Sequence, residues 1–245
     1  MLLAGRWGNV EQNPSGDYEY ACSAAASAGL ELRQAEAGLT LTDGTLELRA
    51  DFMHLLPRIK QGALQRELLV KAARLKGMAD PVAIDATAGL GEDSFLLAAA
   101  GFRVRLYECN SVIAALLRDA LDRATSDPVL APIAARMEAI QGDSLQALAE
   151  AASAATPSDL VYLDPMFPGR TKSAAVKKKF QLLHHLEQPC ADECAMLDAA
   201  LKANPHKIVI KRPIKGLHLA GVKPSYCITG KAVRYDVLVP PRKEA

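Results

Sequence analysis

The sequence lacks several features that would place it at once. It has no run of eighteen or more apolar residues, the length a membrane-spanning helix needs. Met1–Trp7 lacks the charged start and long apolar stretch of a secretory signal, so the expected address is the cytoplasm, with no membrane partner. Cysteine is sparse: Cys22, Cys109, Cys190, Cys194 and Cys227 are an odd, scattered set, which argues for reduced thiols over a disulfide framework. No nucleophile elbow and no phosphate-loop lysine occur. His184-His185 and Cys190-x-x-x-Cys194 do not make four ligands at usual spacing, because adjacent histidines point to different helix faces, so no metal is expected. Aromatic residues make up only 5%, yet half the chain is apolar, which is enough for a full-sized core without staples.

Net charge is also nearly absent, but the total of +1 hides an asymmetry. Residues 165–245 hold 15 Lys/Arg against 6 Asp/Glu, while the first 164 residues hold 14 against 22. The C-terminal third is therefore expected to face something anionic.

What is present is an alternation of short apolar runs and amphipathic stretches. Strands at 82–85, 103–107, 137–140, 159–163 and 207–211 are predicted, with helices at 92–100, 111–124, 144–152, near 175–187 and at 191–203. Such βα repetition requires a largely parallel sheet with right-handed crossovers. The chain then changes pattern: Tyr226–Thr229 and Val233–Val239 around Gly230-Lys231 predict a terminal antiparallel hairpin. That makes an α/β fold with seven strands, the count of a Rossmann-like class I methyltransferase sheet rather than of a six-stranded dinucleotide fold. Upstream, residues 62–76 read as one amphipathic helix ended by Gly77. Residues 1 to about 50 show no useful helical period; Leu39–Thr42, Asp43-Gly44 and Thr45–Leu48 predict a hairpin, to which Leu30–Arg33 adds a third strand. The expected division is a small N-terminal β appendage, 1–55, and a catalytic domain, 56–245.

The chemistry gathers behind the strands. Asp85 ends the first predicted strand of the domain, and Gly89 and Gly91 let the following loop approach a ligand closely before a helix begins. Ser94 stands where a dinucleotide fingerprint has glycine, and Glu92-Asp93 would repel a pyrophosphate, so a cationic ligand is favoured. S-adenosylmethionine has a sulfonium and an ammonium, the latter expected near Asp85. Glu108 ends the next strand, where a carboxylate accepts hydrogen bonds from both ribose hydroxyls; Cys109 beside it reads as a pocket wall. Asp143-Ser144 follows the third strand and suits either an adenine amino group or the N-cap of a helix.

Asp164-Pro165-Met166-Phe167-Pro168 follows the fourth strand. An exocyclic base amine is a poor nucleophile because its lone pair is delocalised into the ring. The Asp164 carboxylate and the Pro165 carbonyl, accepting its N–H groups, would orient that lone pair, and Phe167 would stack on the base. The motif looks like the Asp/Asn-Pro-Pro-Tyr/Phe signature of amino-group methyltransferases, with Met166 replacing the second proline. Arg170, Lys172, Lys177, Lys178 and Lys179 follow directly, and Lys211, Arg212 and Lys215 fall on the same sheet edge; all are expected to meet phosphates.

Asp-Ala-Thr-Ala-Gly-Leu-Gly (85–91), Val-Ile-Ala-Ala-Leu-Leu (112–117) and Val-Tyr-Leu-Asp-Pro-Met-Phe-Pro (161–168) together resemble the RsmJ family of bacterial methyltransferases. The likeness runs from about Asp80 to Val239 and includes Met166, which belongs to that family's own wording. It implies methylation of a guanine N2 in small-subunit ribosomal RNA, with free RNA or the ribosomal subunit as partner. It also implies S-adenosylmethionine contacts at Glu92, Asp93, Glu108, Cys109, Asp143, Ser144 and Asp164. The residues alone leave open an amino-group methyltransferase acting on another RNA, DNA or protein, or a non-catalytic S-adenosylmethionine- or RNA-binding protein.

Overall fold

A computed structural model describes residues 14–153, 158–165, 181–184, 186 and 192–241. The chain begins with α1 (Pro14–Ser27), then an antiparallel three-stranded sheet: β1 (Glu31–Ala35), β2 (Gly38–Thr42) and β3 (Glu47–Leu48). Asp43 holds the expected turn, its Oδ1 accepting from the Thr45 and Leu46 amides at 2.8 and 2.7 Å. The helix α1 is a departure from the sequence reading. It escapes a period search because the residues it buries completely are two alanines, Ala21 and Ala25, one turn apart.

The predicted helix 62–76 is broken. A 3₁₀ turn at Leu64–Arg66 is followed by α3 (Leu68–Ala73), with α2 (Leu56–Ile59) before both. Between the two pieces Glu67 takes an extended backbone (φ −58°, ψ 129°). Its carboxylate is held by the Arg58 guanidinium through two bonds of 2.9 and 2.8 Å. A bidentate pair of this kind competes with helix continuation, and tertiary contact wins over a weak local preference. Lys207 then ends α3 early, its Nζ reaching the carbonyls of Ala72 (3.3 Å) and Arg74 (2.7 Å).

The main sheet follows the predicted alternation: β4 (Val82–Asp85), α4 (Glu92–Ala99), β5 (Arg103–Glu108), α5 (Ser111–Thr125), α6 (Ala131–Ala134), β6 (Met137–Gln141), α7 (Ser144–Ser153) and β7 (Leu160–Leu163). Next come α8 (Gln181–His184), α9 (Glu193–Lys202), β8 (Lys207–Pro213), β9 (Tyr226–Thr229) and β10 (Val233–Leu238). The seven strands lie in the order β6-β5-β4-β7-β8-β10-β9. The first five are parallel, and β10 enters antiparallel between β8 and β9. Strand order reverses at β4 and β7, and the crevice outside their carboxyl ends is where open α/β sheets bind ligands.

Both faces of this sheet are covered. Ile84, Val161, Leu163, Ile208 and Ile210 pack with Leu148, Leu197 and Ala200 of α7 and α9. The opposite face joins Val104, Leu106, Tyr162, Val209 and Val237 to α4 and α5, and the same cluster runs without a break into Leu32, Leu41, Leu48 and Phe52. The N-terminal piece thus shares the core of the large sheet. Phe52 stacks on Phe95 of α4 with centroids 4.7 Å apart and planes at 11°.

Candidate active site

The loop between β4 and α4 is shaped by its glycines. Gly89 has φ +53° and Gly91 φ +77°, the left-handed region that side chains avoid. A Cβ on Gly91 would meet Leu117 Cδ1 at 2.6 Å, whereas one on Gly89 would meet nothing within 4 Å. Gly91 is therefore set by packing below the loop. Gly89 leaves open space for a ligand to approach.

Asp85 is 1% exposed and holds this loop from beneath. Its Oδ1 accepts from the Thr87 amide at 3.0 Å, and its Oδ2 from the Ser94 hydroxyl at 2.6 Å. Burial pushes its pKa up to about 7, against the pull of those two donors. The carboxylate, near which the sequence places a ligand ammonium, is covered by the loop that it holds. Thr87 extends its reach, because the Thr87 hydroxyl also accepts from the Asp164 amide at 2.6 Å and so links the ends of β4 and β7.

Glu108, at the end of β5, is partly buried. It accepts from the Gly89 amide (3.0 Å) and the Asn110 amide (2.8 Å). Burial raises its pKa, opposed by these two amides. Cys109 is exposed, and burial of its sulfur followed by the neighbouring Glu108 charge raises its thiol pKa, which suits a wall and not a nucleophile. Asp143 caps α7, accepting from the Leu145 amide at 2.8 Å, and is itself exposed at the end of β6, with Ser144 beside it. Glu92 turns outward to His54, 3.2 Å away.

Asp93 does something the sequence did not indicate. Its Oδ2 accepts from the Tyr162 hydroxyl at 2.6 Å and from Lys211 Nζ at 2.7 Å. The same ammonium lies 2.9 Å from Asp164 Oδ2. Burial opposes ionisation of Asp93, but Lys211 and the Tyr162 hydroxyl outweigh it and hold its carboxyl below the usual range. Asp164 is 34% exposed at the carboxyl end of β7, and Pro165 is buried behind it.

Two expected phosphate contacts are corrected here. Lys211 is engaged by two carboxylates. The Arg212 side chain is 1% exposed, donates to the Leu217 carbonyl at 2.7 Å and pairs with Glu193 at 3.4 Å. Alternation along β8 explains both, since successive side chains enter opposite covered faces. Lys215, past the strand end, is exposed. Phe167, Arg170, Lys172, Lys177, Lys178 and Lys179 lie outside the described residues, as do His185 and Cys190. Sequence reasoning missed Thr87, Tyr162 and the Lys211 ion pair. The available signal was a lysine directly following an apolar strand core, in a sheet with other strand ends that are acidic.

Residues fit for S-adenosylmethionine thus meet at one sheet edge. Among the described residues, Asp85 holds the loop from beneath, Asp93 and Asp164 meet the ammonium of Lys211, and the Glu108 carboxylate stands beside the open space at Gly89, where a ribose can be held. Strand order, glycine loop and acidic second strand end together define a class I S-adenosylmethionine-dependent methyltransferase. The family model for SAM-dependent methyltransferases matches residues 17–240. A ribosomal RNA small subunit methyltransferase J of Pseudomonas paraeruginosa is 44% identical over 192 residues, covering 78% of this chain and 73% of that protein. Its namesake in Pseudomonas syringae pv. tomato is 38% identical over 240 residues, 92% of this chain and 88% of that one. A crystal structure of a SAM-dependent methyltransferase from Neisseria gonorrhoeae superposes with a TM-score of 0.67 at 33% identity, covering 83% of this chain and 79% of that one. The chain belongs to the family of the ribosomal RNA small subunit methyltransferases J.

Proposed function

We propose that the protein transfers a methyl group to the exocyclic N2 amine of a guanine in small-subunit ribosomal RNA. The observation that carries this reading is the position of Asp164, a partly exposed carboxylate at the carboxyl end of β7, across the β4–β7 crevice from the glycine loop. S-adenosylmethionine, when bound, supplies a methyl group on an electron-poor sulfonium. Glu108, Asp143 and Ser144 are the candidates to hold its ribose and adenine, and the Gly89–Asp93 loop its charged end.

The residues on the acceptor side divide the remaining work. Asp164 accepts an N–H of the substrate amine and turns its lone pair toward the methyl carbon. The Pro165 carbonyl takes the second N–H, and Phe167 stacks on the base. Arg170, Lys172, Lys177, Lys178, Lys179 and Lys215 supply phosphate contacts that position the RNA without reading its sequence. The charge of the C-terminal third and the names of the relatives both support an RNA substrate.

The test is methyl transfer from labelled S-adenosylmethionine to small-subunit RNA and to subunits lacking the modification. Wild type is expected to label one of these. Asp164→Ala should lose the activity while still binding S-adenosylmethionine. Equal labelling by the variant would remove Asp164 from the chemistry, and labelling of a protein instead of RNA would overturn the substrate assignment.

A further inference from the structure

The loop joining β8 to β9 has its backbone held from below by two buried arginines. Arg234 Nη1 donates to the Pro213 and Ile214 carbonyls at 3.0 and 2.6 Å, and Arg212 Nε to the Leu217 carbonyl at 2.7 Å. Asp236, 2% exposed, accepts from Arg234 Nε at 2.8 Å and lies 2.8 Å from His218 Nδ1. Gly216 serves the bend: its amide donates to the Pro213 carbonyl at 2.9 Å, and a Cβ there would lie 3.1 Å from Pro213 Cδ. Further on, Leu219 is buried and the Ala220 amide donates to Glu193 Oε2 at 3.0 Å. Ala220 itself has φ +49°, a left-handed conformation that alanine avoids.

What this scaffold presents outward is apolar and basic. Leu217 is 84% exposed, the most of any large apolar side chain among the described residues, and Ile214 and Val222 are exposed on the same loop. From Ile214 to Val233 the chain has Lys215, Lys223 and Lys231 and no Asp or Glu. The loop leaves the sheet three residues beyond Lys211, at the carboxyl edge where Asp164 follows β7.

We propose that this loop is an RNA-docking surface at the acceptor edge: Leu217 packs against base faces beside the target nucleotide, while Lys215 and Lys223 meet phosphates. This rests on the substrate being RNA. A base buried in a stack must leave it before its amine can meet Asp164, and the neighbours left behind show apolar faces next to phosphates. An apolar side chain between lysines matches that alternation. A single exposed leucine is ordinary on a protein surface. Here its own carbonyl and the segments on both sides are pinned, so the side chain is presented by a backbone that loses little freedom on docking.

The experiment is binding of the full chain to small-subunit RNA by fluorescence anisotropy over a series of salt concentrations, with S-adenosylmethionine binding as the check on folding. Leu217→Ala should weaken RNA binding by about 10-fold or more, with the salt slope and the cofactor affinity unchanged. Lys215→Gln and Lys223→Gln should each lower the slope of log Kd against log salt by about 1. Val129→Ala removes another exposed apolar side chain, from the connection before α6 and β6 at the opposite edge of the sheet, and should bind RNA as wild type does.

Unchanged RNA affinity in Leu217→Ala overturns the proposal, as does an equal loss in Val129→Ala. If Leu217→Ala binds naked RNA normally but loses affinity for the assembled subunit, the loop docks a protein and the proposal is wrong. It is also wrong if wild type sediments as a dimer and Leu217→Ala as a monomer. Binding is read without turnover, so the two readings fail separately. A wild type that docks RNA through this loop without methylating it refutes the functional reading; one that methylates small-subunit RNA while Leu217→Ala keeps full affinity refutes the loop.

Discussion

Asp85 and Asp93 stand eight residues apart on either side of one loop, and their surroundings push them in opposite directions. Asp85 is buried with two neutral donors, and its folded pKa is about 7 against an ordinary 3.8. Between those values the folded chain keeps a proton that the unfolded chain has released. The stability from this group is therefore complete below pH 3.8 and is lost as pH rises through about 7. At about 1.4 kcal/mol per unit the effect totals about 4 kcal/mol. Asp85→Asn cannot ionise, so denaturant unfolding at several pH values should show the variant gaining on wild type from pH 4 to 7; parallel curves would contradict the burial argument. Asp93, held below the usual range by Lys211 and Tyr162, contributes stability above its ordinary value that is lost as pH falls through its folded one. Gly91 offers a simpler test at this scale. Its φ of +77° and the 2.6 Å approach to Leu117 Cδ1 predict that Gly91→Ala costs about 1–3 kcal/mol, measured by the unfolding midpoint.

Elements were legible where their period was strong and obscure where neighbours decided. α5 is readable because its apolar stripe is wide and Asn110 caps it, accepting from the Val112 and Ile113 amides at 3.0 and 3.2 Å. The five parallel strands were legible for a similar reason: each is a short apolar run followed by a polar turn. α1 was hidden because it packs on α5 mainly through alanines, which give no contrast between faces. The helix foreseen at 62–76 failed for the opposite reason. Its periodicity is real, but the Arg58–Glu67 clamp and the Lys207 cap lie nine and well over a hundred residues from what they control, and no local pattern reports them. Phe52, whose ring lies on Phe95, fastens the segment between the small sheet and α2 onto α4. Phe52→Ala should cost about 3–5 kcal/mol in denaturant unfolding. A loss under 1 kcal/mol would mean that the stack carries no more than a surface contact does.

At the scale of the molecule, the sheet order brings to one edge residues that are up to 126 positions apart, from Asp85 to Lys211. The sequence showed that each strand ended in a polar or acidic residue; it did not show which of these ends would touch. Asp164 was found from its motif, while its contacts with Lys211 and Thr87, and that of Lys211 with Asp93, became visible only when β7 and β8 were placed side by side and α4 above them. The expected phosphate contacts divide in the same way: Lys215 is exposed, but Lys211 is engaged by two carboxylates and Arg212 is buried. The reading proposed above has this edge methylate a guanine amine in small-subunit RNA through Asp164. The most direct measurement is nucleoside analysis of small-subunit RNA, lacking the modification, after reaction with labelled S-adenosylmethionine and either wild type or Asp164→Asn. Wild type should place label in N2-methylguanosine at one position, and the variant should place none. Label in a different nucleoside, or equal label with Asp164→Asn, would contradict it.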